Sequence, residues 1–412
     1  MMLRVLIVSQ YFFPEEFPIN SVVADLRRRN IEVEILTGKP NYPQGTLFEG
    51  YKGWGLQREQ FEGATIHRVP IIPRGRKSGA RLALNYLSYV VSGLLLAPWM
   101  LRRRKFDVVF VYGISPILQA IPALFLGWLK SAPTVVWVQD LWPESLSATG
   151  YLTNPRMLGW VRHVVQAIYR KSDRLLVQSL AFIGSVRQMA PDTQIDYFPN
   201  SVGSEFLSSG AVDLPEIGGL ESPFPVVFAG NIGSAQAVDV ILEAAKLLRD
   251  EKDIQFVIVG DGSERAWLQQ QVEKHGLKNM SLPGRLPVAF MPALMRKASV
   301  LLVSLRNEPI FELTTPSKVQ AYLASGRPIV ASLNGEGARI IHEAQAGLAA
   351  PAGNADALKD AILTLYRMPV EERVRLGHNG QDYYKANFAH DMLADRLVEL
   401  FQSTIKEKKA PR

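Results

Sequence analysis

Three short apolar runs in the second half of the chain, 225–229, 255–259 and 280–282, each give way to a glycine: Gly230, Gly260 and, after Pro283, Gly284. Runs of this length bounded by turn residues read as buried strands. A glycine at the end of each allows a backbone conformation or a close approach that other residues resist. Each run is followed by a helical pattern, 238–249, then a helix to about His275, then 288–297, and a further strand is predicted at 300–304. Strand and helix alternating in this way specify a parallel α/β sheet, with the glycine turns gathered at its carboxyl edge, where such sheets bind ligands.

The stretch Glu308 to Ser332 follows directly. Thr315 is suited to cap a helix, Pro316 to its first position, and Ser317 and Lys318 to its opening turn. Gly326 falls where a helix passes to a left-handed residue, Pro328 stops it, and 329–332 reads as a short buried strand. A helix start offers free N–H groups and a positive dipole end, and Lys318 adds a charge, so an anion fits there. The preceding loop carries Arg306, Glu308 and Glu312, which could meet phosphate on one side and sugar hydroxyls on the other. An ordinary helix of an α/β domain has the same local chemistry.

The first half opens on a β-α-β pattern: strand 3–9, loop 10–20, a helix to about Arg29, strand 32–37. No cleavable apolar segment precedes it, so no signal peptide is expected. No GxGxxG follows the first strand, which removes the main support for dinucleotide binding. The loop 38–53, with Asn41 and Tyr42, lies at a strand's carboxyl end; it is either a binding loop or a proline-stiffened excursion. Strands at 108–112 and 134–138 follow, the first leading to an apolar helix at 117–130. The second opens into Gln139-Asp140-Leu141-Trp142-Pro143-Glu144, where carboxylates and a tryptophan suit sugar recognition, unless Asp140 only caps the next helix. Strand 174–178, helix 179–188 and strand 194–198 close this half, and 199–222, rich in Gly, Ser and Pro, reads as a linker.

With 412 residues, two domains of ordinary size are expected. There is no cysteine, no histidine pair with metal-ligand spacing and no DxD triplet, so no metal site is expected. The net charge of +7 has a local origin. No acidic residue falls between Glu62 and Asp107, whereas Arg68, Arg74, Arg76, Lys77, Arg81, Arg102, Arg103, Arg104 and Lys105 do, and the remaining chain has 37 basic against 39 acidic residues. This patch brackets an apolar segment, 82–101, interrupted by Asn85, Gly93 and Pro98. It is long enough to span a bilayer, but it sits inside one α/β alternation. It reads as an in-plane segment meeting anionic lipid, with a buried helix as the alternative; nucleic acid is disfavoured because no aromatics interleave the charges. A final helix from about Asn387 to Lys406 places Phe388, Met392, Leu393, Leu397, Leu400, Phe401 and Ile405 on one face.

The motifs YFFPE (11–15), LTGKPNYPQG (36–45), VQDLWPES (138–145), YFPNSV (197–202), AGNIGSAQ (229–236), VIVGDGSE (257–264), LPGR (282–285) and TPSKVQAYLASGRPIVAS (315–332) occur in this order over nearly the whole chain. Together they resemble the family 4 retaining glycosyltransferases of GT-B fold, most of all bacterial surface-polysaccharide enzymes, including those that use N-acetyl-L-fucosamine. The resemblance implies an α/β chain of two Rossmann-like doubly wound domains facing each other across a cleft. Residues 1–200 would hold acceptor and membrane, 201–386 a UDP-sugar donor, and 387–412 would cross back to the first domain. It implies metal-independent transfer without a cofactor, to a polyisoprenyl-diphosphate-linked acceptor of O-antigen or capsule biosynthesis. The place would be the inner face of the bacterial cytoplasmic membrane, held peripherally through 68–105. A sugar-nucleotide epimerase and a non-catalytic scaffold of the same fold are the rivals.

Carried onto this chain, the resemblance assigns donor contacts to Gly230, Asn231, Gly233, Gln236, Gly260, Gly262, Gly284, Arg285, Leu286, Arg306, Glu308, Thr315 and Ser317. Gly284–Leu286 would hold the base. Lys318 and Glu312 would take part in catalysis, Lys318 on the diphosphate and Glu312 on a sugar hydroxyl. Asp140 and Glu144 would orient the acceptor or move a proton, and Asn20, Asn41, Tyr42 and Gln139 would line the acceptor side. The chain departs from the family pattern in several places. Ala321 stands where a ribose-binding Glu is usual and Leu313 where its partner Glu is. Asn231 and Gln236 replace an Arg and a Lys, Gln139 replaces a His, and 16–20 replaces a glycine pair. These losses leave Lys318 to carry the cationic work.

Overall fold

The computed structural model describes residues 2–75, 79–148, 152–202 and 212–410. Arg76 and Lys77 of the basic patch, 203–211 of the linker and the last two residues of the tail lie outside them. The chain divides into two compact units, Met1–Pro199 with Asp391–Arg412, and Asn200–His390.

The first unit is built on β1 (Arg4–Val8), β2 (Glu32–Thr37), β3 (Gln57–Phe61), β4 (Ala64–Arg68), β5 (Val108–Gly113), β6 (Thr134–Val138), β7 (Arg174–Val177) and β8 (Gln194–Tyr197), in the order β3-β4-β2-β1-β5-β6-β7-β8. Every pairing is parallel except β3 with β4. Strand order reverses between β1 and β5, the place where ligand crevices form in such sheets. The apolar runs form the central strands because helices cover both faces and every position of β5 and β6 is buried.

In the first unit, the hairpin β3–β4 and one helix were not expected from the sequence. The edge hairpin β3–β4 turns on Glu62 and Gly63, both with positive φ, the conformation a two-residue hairpin turn demands. The helix Pro155–Lys171 starts at Asn154, whose side chain accepts from the N–H groups of Arg156 and Met157.

The second unit is wholly parallel: β9 (Phe224–Ala229), β10 (Ile254–Val259), β11 (Met280–Gly284), β12 (Val300–Ser304), β13 (Ile329–Ser332) and β14 (Gly347–Ala350), ordered β11-β10-β9-β12-β13-β14. Its order reverses between β9 and β12.

The expected final helix is present, running from His390 to Lys409, and it starts three residues later than expected because another helix ends just before it. Val370–Asn387 ends at Phe388, which is buried in the core of the second unit beside Tyr384. His390–Lys409 then places Leu393, Leu397, Leu400 and Phe401 in the core of the first unit with Val5, Ile7 and Trp137. Arg29 to Asp395 at 2.6 Å and Arg174 to Glu407 at 2.7 Å fasten its two ends there. Phe388 therefore does not share a face with the residues after it, because the first of these helices ends there.

The basic patch also resolves differently. Arg68 is fully buried and donates to Glu59, to the Gly38 carbonyl at 3.0 Å and to the Phe13 carbonyl, so it braces loops and faces no lipid. The apolar segment is the helix Gly79–Met100, with Arg81 near one end and Arg102–Lys105 just beyond the other. At 1.5 Å per residue these charges stand about 30 Å apart. They are two patches, not one.

Candidate functional site

The carboxyl edge of the second sheet gathers most of the donor residues expected from the sequence. The glycines there approach one another's loops. A Cβ on Gly260 would lie 1.8 Å from the Gly230 carbonyl oxygen, and one on Gly262 would lie 2.3 Å from that of Ile232. The loops after β9, β10 and β11 are stitched together by Gly230 N–H to the Val259 carbonyl (2.9 Å), Ile232 N–H to the Asp261 carbonyl (2.8 Å) and Gly260 N–H to the Gly284 carbonyl (2.9 Å). Gly230 makes room for a side chain: a Cβ there would fall 2.4 Å from Cε of Lys318. Only glycine at 230 lets Lys318 lie beneath the end of β9.

Lys318 stands in the first turn of the helix Ser317–Ser325. Tyr322 fixes this helix to β9, its hydroxyl accepting from the Ala229 N–H at 3.0 Å. The Lys318 stem is partly exposed, but Nζ is buried and has no hydrogen-bond partner among the described residues. Its nearest companion is the face of Phe228, 3.6 Å from Nζ to the ring centre. Burial lowers its pKa from 10.5 to about 7. Ser304 Oγ, Thr315 Oγ1 and both amide atoms of Gln320 are buried and have no partner among the described residues. A native site seldom leaves this many polar atoms unmet unless a ligand or water completes them.

Local readings change around this helix. Pro316 occupies the cap position and no side chain caps the helix, so Thr315 is a buried hydroxyl, not the cap. Gly326 does take the left-handed conformation at the helix end. Asn231 donates to Gln236 Oε1 at 3.2 Å, and the Gly233 N–H donates to the same oxygen at 3.1 Å. The neutral pair thus shapes the loop instead of reaching outward. Arg306 donates from its backbone to the Ala235 carbonyl and from Nε to the Ser234 carbonyl, which joins the loops after β9 and β12 across the strand-order reversal. Glu312 and Glu308 are exposed; Glu312 accepts from Asn334 at 3.4 Å, and Glu308 precedes a short helix, Pro309–Leu313. Ala321 is buried in the core, Arg285 and Ser317 are exposed, and Leu286 packs against the core.

On the first unit, Asp140 does not cap the following helix. Its Oδ2 accepts from Ser115 N–H and Oγ, both at 3.2 Å, while burial raises its pKa against those bonds. Glu144 accepts from Arg162 at 2.7 Å. The two carboxylates are therefore committed to different partners. Gln139 is buried at the end of β6. Asn41 is fully buried, its Nδ2 donating to the Lys39 carbonyl and its Oδ1 accepting from the Arg74 N–H, so it locks the loop and is not free for an acceptor. Asn20 donates to the Glu15 carbonyl at 2.8 Å, and Tyr42 remains partly open under the guanidinium of Arg74.

Sequence reasoning overlooked Glu15. It is 3% exposed and accepts from the N–H groups of Asn41 and Tyr42 at 2.7 Å and of Phe12 at 3.1 Å, joining the loops after β1 and β2. Its position in YFFPE, with a proline before it and a buried run ahead, was the available signal.

Residues 19–201 match the family described as "Glycosyl transferase 4-like domain", and residues 223–368 that described as "Glycosyl transferases group 1". The chain is 27% identical over 342 residues to "Putative colanic acid biosynthesis glycosyl transferase WcaI" of Escherichia coli (strain K12), a match covering 79% of this chain and 82% of that protein. It is 26% identical over 348 residues to "Probable glycosyltransferase WbjE" of Pseudomonas aeruginosa, covering 82% and 84%. Among solved structures, Anabaena Alr3699/HepE in complex with UDP aligns over 98% of this chain and 100% of that one, with a TM-score of 0.71 at 14% identity, a likeness of fold.

Proposed function

The chain joins a glycosyl transferase 4-like domain to a glycosyl transferases group 1 domain in a GT-B fold, and from that premise we propose that it is a retaining, metal-independent glycosyltransferase with a UDP-sugar donor. The observation that carries the reading is the buried ammonium of Lys318, at a helix start beside Gly230, with no hydrogen-bond or ion-pair partner among the described residues. A nucleotide diphosphate supplies what is missing. Its charge rises as the glycosidic bond breaks, and a preorganised cation in a dry setting stabilises that change more than it would in water. The uncapped N-terminus of the same helix adds its dipole in the same direction. UDP bound to the Anabaena protein of like fold supports uridine as the base.

In this reading Gly284–Leu286 hold the base, Arg306 and the loops it joins flank the phosphates, and Glu312, with Glu308 second, meets sugar hydroxyls. Asp140 and Glu144 orient the acceptor or carry a proton, and Gln139, Tyr42 and Asn20 belong to the acceptor side. The name of the colanic acid relative supports a polysaccharide product. The donor is an N-acetylated aminosugar such as N-acetyl-L-fucosamine. The acceptor is a polyisoprenyl-diphosphate-linked saccharide of O-antigen or capsule at the inner face of the cytoplasmic membrane, and no cofactor is needed.

The test is UDP release from a panel of UDP-N-acetylhexosamines, UDP-N-acetyl-L-fucosamine among them, with and without such an acceptor and with metal chelated. Release that requires both substrates is the expected result. Failure to bind UDP at all would overturn the site around Lys318.

A further inference from the structure

We propose that the first unit seats on an anionic lipid surface through three packed helices, Gly79–Met100, Ala120–Lys130 and Pro155–Lys171, and not through residues 68–105 alone. The inference is independent of the donor reading. It begins with two stripes on the first of these helices. Asn85, Tyr89, Gly93 and Ala97 are buried, one every fourth residue. Leu87, Val91, Leu95 and Trp99 repeat at the same interval two places on, about 200° around the helix, and are exposed. The helix is therefore apolar on both sides, with only one side covered.

The inner stripe is held firmly. Asn85 Oδ1 accepts from Gln10 at 2.7 Å and from the Tyr11 hydroxyl at 3.2 Å, Asn85 Nδ2 donates to the Ile72 carbonyl at 2.6 Å, and the Tyr89 hydroxyl donates to the Leu36 carbonyl at 3.1 Å. Gly93 sits against Pro122, where a Cβ would come within 2.8 Å. By length and composition this helix could cross a bilayer. Crossing would strip these bonds and leave Asn85 unsatisfied in hydrocarbon, whereas lying in the plane keeps them.

Exposed tryptophans recur on the helices packed beside it. Ala120–Lys130 packs against both of the other two helices. Trp128 is 76% exposed, Trp160 66% and Trp99 60%. One exposed tryptophan per helix on three adjoining helices is the arrangement of a lipid headgroup belt, where the ring is wetted on one edge and apolar on the other. Charge selects the occupant. From Gly63 to Ser172 the only acidic residues are Asp107, Asp140 and Glu144. Asp107 is paired with Arg4, Asp140 accepts from Ser115, and Glu144 is paired with Arg162. Meanwhile Arg102, Arg103, Lys105 and Arg156 are exposed at the ends of these helices. Tryptophans and exposed cations on a segment whose few carboxylates are all engaged complement an anionic membrane.

The experiment is flotation with vesicles of phosphatidylcholine alone and of phosphatidylcholine with 30% phosphatidylglycerol, alongside UDP calorimetry on the same preparations. The intact protein is expected to float with the anionic vesicles and much less with the neutral ones. The double variant Trp128→Ser/Trp160→Ser, outside 68–105, should lower partitioning at least tenfold with UDP affinity unchanged. The triple variant Arg102→Gln/Arg103→Gln/Lys105→Gln should abolish the preference for anionic vesicles. Binding by the tryptophan variant equal to that of the intact chain would overturn the three-helix seat. So would absence of flotation from an intact protein that binds UDP, or a dimer of the intact chain that the tryptophan variant dissolves. UDP binding in those preparations keeps the donor reading separate from either failure.

Discussion

Glu15 and Lys318 are buried titratable groups beside the strand-order reversals of two sheets built alike, and the two sheets treat them in opposite ways. Burial drives both toward neutrality, raising the Glu15 carboxyl to about 7 and lowering the Lys318 ammonium to about 7. Glu15 meets three backbone N–H groups of its own unit, whereas Lys318 meets an aromatic face and, among the described residues, no hydrogen-bond acceptor. The first charge is used up in building the loops. The second has no partner among the described residues. Two sheets with the same topology rule can thus be told apart by which edge leaves its buried charge unmet among the described residues.

The strongest test of that contrast is Lys318→Met. A neutral side chain of similar length removes the buried cation, so kcat/KM should fall about 10²- to 10³-fold, the usual loss for a preorganised group that meets developing charge. Thermal stability should hold or rise, because burying an unpaired ammonium is costly. Steady-state UDP release and a melting curve decide the matter. A large drop in stability would make Lys318 structural and dissolve the comparison.

Glu15→Ala should do the reverse. It leaves the N–H groups of Phe12, Asn41 and Tyr42 without an acceptor, at about 1–3 kcal/mol for each group that stays buried. Denaturant unfolding should show a loss of about 3 kcal/mol, while UDP affinity remains that of the intact protein. If Glu15→Ala weakened UDP binding as much as Lys318→Met, the two edges would not be separable.

Acidity provides a third, smaller handle. The free-state pKa of Lys318 near 7 means that the ammonium must be regained when a diphosphate binds at higher pH. UDP affinity should therefore decline by up to tenfold per pH unit above about 7, and Lys318→Met should flatten the profile. In the absence of nucleotide the signs on stability are opposite. Between about 7 and 10.5 the unfolded chain holds the Lys318 proton and the folded one does not, so this group makes stability rise with pH. Between 4.5 and about 7 the folded chain holds the Glu15 proton and the unfolded one does not, so that group makes stability fall as pH rises.

Much of this framework was legible from residue order. Strands 32–37, 134–138, 300–304 and 329–332 lie where the apolar runs place them, because a parallel strand covered on both faces has few other ways to be written. The edge strand Gln57–Phe61 escaped because it is polar and half solvated, with none of the apolar signal that marked its neighbours. Lys318 was identified from a helix start, yet its setting depends on Gly230 and Phe228, distant in sequence, and no local pattern reports which side chain lies beneath which turn. Arg68 shows the same limit from the other side. Composition put it in a basic surface patch, while three acceptors contributed by separate segments draw it fully inside.

The smallest effect separates Arg306 from Lys318. Arg306 is exposed, and its Nε is already engaged by the Ser234 carbonyl, so the rest of its fork faces solvent. A charge screened in this way contributes at most about 1 kcal/mol to a nearby anion, and less as salt is added. Arg306→Gln should raise the donor KM about three- to fivefold with kcat nearly unchanged, and about 0.5 M salt should erase the difference. The defect of Lys318→Met should persist in the same salt, because a buried pair is screened much less. Measuring both variants at low and high salt places the cationic work on one residue or the other. A salt-resistant loss of kcat in Arg306→Gln would move it to the exposed arginine, and the unmet charge of Lys318 would then mark burial alone and no ligand.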